Sequence, residues 1–190
     1  MTVRGPAARV MLLRRSCAIV RRGEESYSFL GRAYEEACGQ VLAQIGISLR
    51  QIGGSGDGGI DLQGHWHLGE ESVPVIAQCK RISRTCPPIH VRELEGTLGK
   101  RVGEGVALLV ASSPASTACI AAVMESRLPL LFLHLEESDE GDSSHLLRKA
   151  FGNAALQKRL PALLIGSRHH AGGRVEPIFY CKSSASVAEG

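Results

Sequence analysis

At 190 residues, with 44% apolar and 22% charged residues, the chain has the length of one domain and enough apolar content to bury a core, which excludes a disordered chain. The net charge of +3 originates in residues 1–22, where six arginines stand before the first acid, Glu24; the remainder carries 16 basic and 19 acidic residues. The folded part is therefore no basic coating protein for nucleic acid, and any such contact has to come from a local patch.

Residues 1–22 combine those arginines with Val10, Met11, Leu12, Leu13, Ile19 and Val20, the composition of a mitochondrial transit peptide; the alternative is a retained basic arm. Arginines interrupt every apolar run before it reaches the length of a secretory h-region, and no segment approaches a membrane span. A domain is expected over residues 26–182, with residues 183–190 as a flexible tail.

Within that domain Phe29, Leu30, Tyr34, Ala37, Cys38, Val41, Leu42 and Ile45 recur at helical spacing, and Gly46 ends the pattern. Short strands are predicted at residues 47–52, 60–66 and 73–79, tightly connected and hence antiparallel. After Pro87 and Pro88 a helix is predicted over residues 89–101, then an apolar strand at 105–111. A helix follows at 113–126, with Ser113 as cap and Pro114 at its first position, and then a strand at 128–135. This second half is β-α-β, so its strands should be parallel and joined by right-handed crossovers. An exposed loop is expected at 136–144, a helix at 146–160 and an edge strand at 175–181.

The glycine-rich turn of residues 53–59 matches G-x-G-x-x-G formally, but residues 60–66 alternate like a strand and offer no helix to hold a pyrophosphate, so a dinucleotide site is rejected. A hairpin turn accounts for the glycines. It does not account for Asp61 in an apolar strand, which is costly unless paired or bound to a cation. Gln78 and Lys80, two apart on the facing strand, project to one face, with Cys79 on the other. The Asp61 carboxylate, the Gln78 side-chain oxygen and the Cys79 backbone carbonyl are hard oxygen donors suited to Mg²⁺ or Mn²⁺, and Lys80 could orient or deprotonate a water. Six cysteines without a C-x-x-C pair read as reduced core residues. A zinc site from Cys79, Cys86 and His90, or from His65 and His67, has little support from spacing, and ordinary packing is the preferred reading.

Asp61 followed by Gln78-Cys79-Lys80 resembles the D…(D/E/Q)xK signature of the restriction-endonuclease-like superfamily, in particular its Mrr-type branch. Gly31-Arg32-Ala33-Tyr34-Glu35 is similar to the branch's first-helix motif, residues 53–62 to its G-G-x-G-D-x-G-I-D-L segment, and residues 89–98 to the helix after the lysine strand. With its arginine-rich start the chain is also similar to a small fungal family of mitochondrial proteins required for respiratory growth. The resemblance implies a three-layer α/β/α fold with a mixed sheet, in which an N-terminal helix precedes an antiparallel hairpin and then β-α-β. It further implies Glu35, Asp61, Gln78 and Lys80 as the catalytic set, Mg²⁺ or Mn²⁺ at Asp61, Gln78 and Cys79, and a mitochondrial matrix location serving genome maintenance or respiratory growth. Without the motif, Glu35 reads as an exposed helix acid, Gln78 as a satisfied strand amide, and Glu93 and Glu95 as helix-face residues. Arg81 and Arg84 are placed for phosphate contact, with solvated charges as the equal alternative.

Two functions follow. One is metal-dependent hydrolysis of phosphodiesters in nucleic acid, DNA before RNA. The other is a non-catalytic nucleic-acid-binding or assembly module that keeps the fold. Monomer and homodimer both remain open.

Overall fold

In the computed structural model the described residues are 9–10, 27–52, 59–98, 105–138, 144–171 and 173–181. Most of the arginine-rich start, the glycine turn of residues 53–58 and the tail lie outside them. The elements in chain order are β1 (Arg9–Val10), α1 (Tyr27–Ala43), β2 (Ile47–Gln51), β3 (Leu62–Leu68), β4 (Glu71–Lys80), α2 (Ile89–Leu98), β5 (Val106–Ala111), α3 (Thr117–Glu125), β6 (Leu130–Glu137), β7 (His145–Gly152), α4 (Ala154–Arg159), β8 (Leu163–His169) and β9 (Val175–Cys181).

Six strands form a mixed sheet in the order β2-β3-β4-β5-β6-β7. The β2-β3 and β3-β4 pairs are antiparallel and the β4-β5 and β5-β6 pairs parallel, as the tight turns and the β-α-β pattern predict; β7 returns antiparallel to β6. Strand β5 is buried on both sides and so is apolar throughout, while its alternate residues serve different cores. Val106, Leu108 and Val110 pack with Tyr34, Cys38, Val41 and Leu42 of α1. Ala107, Leu109 and Ala111 pack with Val91 and Leu94 of α2 and Cys119 and Val123 of α3. Two crossovers of one hand stepping in one direction require α2 and α3 to share a face, which leaves the other to α1.

The α1 face is completed by a second sheet, β1-β9-β8, rather than by helices alone. Trp66 of β3 meets Phe179 of β9 edge to face at 5.9 Å and donates its indole N–H to the Ile45 carbonyl at 3.1 Å. The strand at 175–181 is therefore not an edge but the middle of this separate sheet, between β1 and β8, and residues 163–169 form a strand that the sequence pattern does not mark.

Two further expectations are corrected. The segment 146–160 is strand β7 followed by the short helix α4. The β6 edge takes β7 as its partner, and Gly152 and Asn153 break the chain direction, with Asn153 Oδ1 accepting from Leu156 N at 2.9 Å as the cap. Helix α3 begins at Thr117, capped by Ser116, not at Pro114 with Ser113 as cap. Residues 112–115 are instead drawn toward the loop after β4. Cys86 N donates to Pro114 O at 2.8 Å, and Ser113 Oγ donates to Ile82 O at 2.6 Å.

Candidate active site

The site gathers at the C-terminal end of β4. Leu62 pairs with Ala77, so Asp61, one residue earlier, meets the stretch of β4 that carries Gln78 and Cys79. Regular strand structure starts at Leu62 and not at residue 60. Gly59 still turns there, with φ +82°, and Asp61 ties the turn to both neighbours through its N–H to Ala77 O and its carbonyl to Ile52 N–H, each at 3.0 Å. Its Oδ2 accepts the Cys79 N–H at 2.6 Å, a short charge-assisted bond that fixes the carboxylate against the strand.

Gln78 is 4% exposed, and its Oε1 has no hydrogen-bond partner among the described residues. Among the described residues the amide is therefore not fully satisfied. A Cβ at Gly59 would stand 3.3 Å from Gln78 Nε2, so the turn needs glycine for its conformation and also to let the amide lie against it. Lys80 projects to the same side of β4 and its Nζ lies 3.2 Å from Glu93 Oε2 of α2.

Glu35 comes from α1 on the opposite face. Gln51 Nε2 donates to Glu35 Oε2 at 3.2 Å and to Arg32 O at 3.4 Å, linking α1 to the end of β2. Glu35 and Asp61 both act on the Cys79 thiol, which is held well above its ordinary value first by its hydrogen bond with Cys38 and by burial, then by these negative charges. Two carboxylates from different layers thus bear on one residue of β4.

Asp61, just before β3, and the Gln78 oxygen, unpaired among the described residues, are hard donors, and with a backbone carbonyl they suit Mg²⁺ or Mn²⁺ better than a soft metal. No cluster of three or more histidine, cysteine or acidic side chains with metal-binding spacing occurs among the described residues. His65 and His67 are exposed on β3, Cys86 is buried beside α3, and His90 pairs with Glu93.

Arg81 and Arg84 are exposed on a loop that is clamped rather than loose. Ser112 Oγ accepts from Ile82 N at 2.8 Å and donates to Ile82 O at 2.9 Å. Ser112 N donates to Lys80 O at 3.0 Å, so one serine after β5 holds both the end of the lysine strand and the start of the arginine loop.

The sequence reads Glu93 as a helix-face residue and offers His90 only to a weakly supported zinc site; the structure joins the two. Glu93 Oε2 accepts from His90 Nδ1 at 2.9 Å as well as from Lys80. Its carboxyl is held below the usual range, chiefly by the His90 hydrogen bond, against a cost of burial and with further help from the hydrogen bond and charge of Lys80. The i, i+3 spacing of His90 and Glu93 on α2 was the available signal, but it cannot disclose that the helix hangs over Lys80.

The restriction endonuclease family model Mrr_cat matches residues 27–135, more than half of the chain. An uncharacterized protein of Schizosaccharomyces pombe, named as mitochondrial, is 27% identical over 129 residues, which cover 66% of this chain and 51% of that protein. The chain thus spans about half the length of this relative. Among solved structures, the MspJI restriction endonuclease in complex with a 27-mer oligonucleotide aligns with 56% of this chain and 26% of its own, at 20% identity and a TM-score of 0.41.

Proposed function

We propose, from the premise that this chain belongs to the Mrr_cat restriction endonuclease family, that it is a metal-dependent phosphodiesterase acting on DNA, with Glu35, Asp61, Gln78 and Lys80 as its reaction centre. The observation that carries the reading is the Asp61 carboxylate seated on the Cys79 amide, where Gln78 and Lys80 leave β4 toward one face. A phosphodiester resists hydrolysis because its charged oxygens repel a nucleophile, so a centre for its cleavage has to supply positive charge and a held water.

Asp61, Gln78 and the Cys79 carbonyl are the oxygens that would hold Mg²⁺ or Mn²⁺. Such a cation, when bound, would stabilise charge on the phosphate and favour ionisation of a water. Lys80 contributes a second positive charge, fixed in direction by its strand and able to orient the attacking water. Glu35, tied to β2 through Gln51, adds negative charge on the side of the centre away from α2. Arg81 and Arg84, on the clamped loop, would take flanking phosphates, which positions the strand without reading its sequence.

The arginine-rich, acid-free start and the relative's mitochondrial name support import into mitochondria, with the matrix and upkeep of its genome as the place and purpose of the reaction. No helix among the described residues is long and apolar enough to cross a membrane. The test incubates the full chain and its Lys80→Ala variant with supercoiled, linear and branched DNA and with RNA, in Mg²⁺, Mn²⁺ or EDTA. DNA cleavage that requires both the metal and Lys80 is expected. Binding without cleavage under every condition would refute the catalytic reading in favour of a binding module.

A further inference from the structure

The four-residue centre is short of charge on its α2 side. Gln78 occupies a place from which a side chain reaches toward Asp61, but an amide offers a dipole where a carboxylate would offer a full charge. Its Oε1 is buried and without a partner among the described residues, a costly arrangement unless something binds it. Among the described residues, the carboxylate that meets Lys80 on this side is that of Glu93. We propose that Glu93, steered by His90, is a further cation-binding carboxylate of this centre and supplies the negative charge that Gln78 lacks; the inference rests on the phosphodiesterase reading.

Three features support it. Gln78 and Lys80 lie on one side of β4, about 6.6 Å apart along the strand, and Glu93 Oε2 reaches 3.2 Å from Lys80 Nζ, so the carboxylate overhangs the row that holds the unpaired oxygen. An acid at the surface of a helix ordinarily points to water, yet His90 Nδ1 binds the same Oε2 at 2.9 Å and holds the carboxylate, still 43% exposed, beside Lys80. Both contacts use Oε2, which leaves Oε1 outside either. In the present arrangement Lys80 and Glu93 neutralise each other; a cation drawn to Glu93 would release the lysine ammonium toward the phosphate. His90 is then a positioning residue, acting through Glu93.

The experiment is Mn²⁺ titration by calorimetry of the metal-stripped full chain, without nucleic acid, for wild type, Asp61→Asn, Glu93→Gln, Lys80→Met and the Lys80→Met/Glu93→Gln pair. A single cooperative thermal transition, well above the titration temperature, verifies folding of each variant. Wild type should bind Mn²⁺ in a manner dependent on Asp61, and Glu93→Gln should weaken binding about 10- to 100-fold, as loss of a group at a metal centre does. The same fold loss should persist between Lys80→Met and the pair, because the carboxylate acts on the cation directly. If the loss vanishes in the Lys80→Met background, Glu93 acts only by masking the lysine and the proposal fails. Equal or tighter binding by Glu93→Gln, with Asp61→Asn still impaired, also overturns it and leaves the phosphodiesterase reading standing. Absence of Asp61-dependent binding in wild type overturns both.

Discussion

Replacing Asp61 separates what its carboxylate does for the fold from what it does for the chemistry. The 2.6 Å bond from Cys79 N–H to Oδ2 is charge-assisted and half-buried. Asp61→Ala removes the acceptor and leaves an amide of β4 without it, a loss of about 2 kcal/mol for a bond to a charged group. For a domain of this size that lowers the melting temperature by roughly 4–8 °C. Asp61→Asn keeps an oxygen in the same place; a neutral acceptor is about half as strong, so the loss falls to about 1 kcal/mol. It also relieves the joint charge that Asp61 and Glu35 exert at Cys79. Thermal unfolding in EDTA, followed by circular dichroism, should therefore rank wild type, Asp61→Asn and Asp61→Ala in descending order. Metal-dependent cleavage should disappear in both variants alike. Equal melting of Asp61→Asn and Asp61→Ala would refute the structural role given to the carboxylate, and full activity in Asp61→Asn would refute the catalytic one.

Two more predictions concern groups buried away from the four-residue set. Asn153 is 3% exposed; it caps α4, accepts from Leu130 N at 3.2 Å, and donates to the carbonyls of Val123, Ser126 and Leu128. Asn153→Ala strands several buried backbone groups at once and should cost at least ~3 kcal/mol, measured by urea unfolding. His134 is buried within β6, and its Nε2 has no partner among the described residues. Burial first, with Arg148 and Lys149 lesser contributors, holds it below the ordinary histidine value despite Glu136 and a backbone hydrogen bond with Ser112. Since the folded state resists the proton, the unfolded state gains more protons as pH falls through about 6.5. The stability that follows from neutral His134 is complete above that value and is lost toward lower pH. Urea midpoints between pH 7.5 and 5.5 should fall less steeply in His134→Gln than in wild type; parallel slopes would refute the assignment.

The fold was legible where local pattern and tertiary fate coincide. Apolar runs bounded by glycine and proline marked β2 to β6, and the short turns fixed which neighbours are antiparallel. Segment 146–160 misled because Leu146, Leu147, Ala150 and Phe151 satisfy a helical spacing almost as well as an alternating one. What decides is the open edge of β6, which takes up eight residues of β7 as a partner and is invisible in the segment itself. Ser113 misled for a related reason. It has the form of a cap ahead of Pro114, but its hydroxyl donates to Ile82 across the sheet, and the helix waits for Ser116. The β8 strand, mixed in polarity as its alternating exposure shows, carries too weak a pattern to be found alone.

The site divides along another line. Asp61, Gln78 and Lys80 drew notice because polar groups in apolar strands conflict with their surroundings, and a conflict in one dimension already demands a partner in three. Glu93 and His90 conflict with nothing, since an acid and a histidine on an amphipathic helix are ordinary. Their meaning arises only when Val91 and Leu94 dock α2 on β5 and so suspend the opposite flank of that turn above Lys80. A strand announces its functional residues by composition; a helix packed across the strand ends conceals them by the same measure. In this chain the consequence is specific: the lysine that the motif discloses is paired to a carboxylate that the motif omits, and the charge at the centre follows from both.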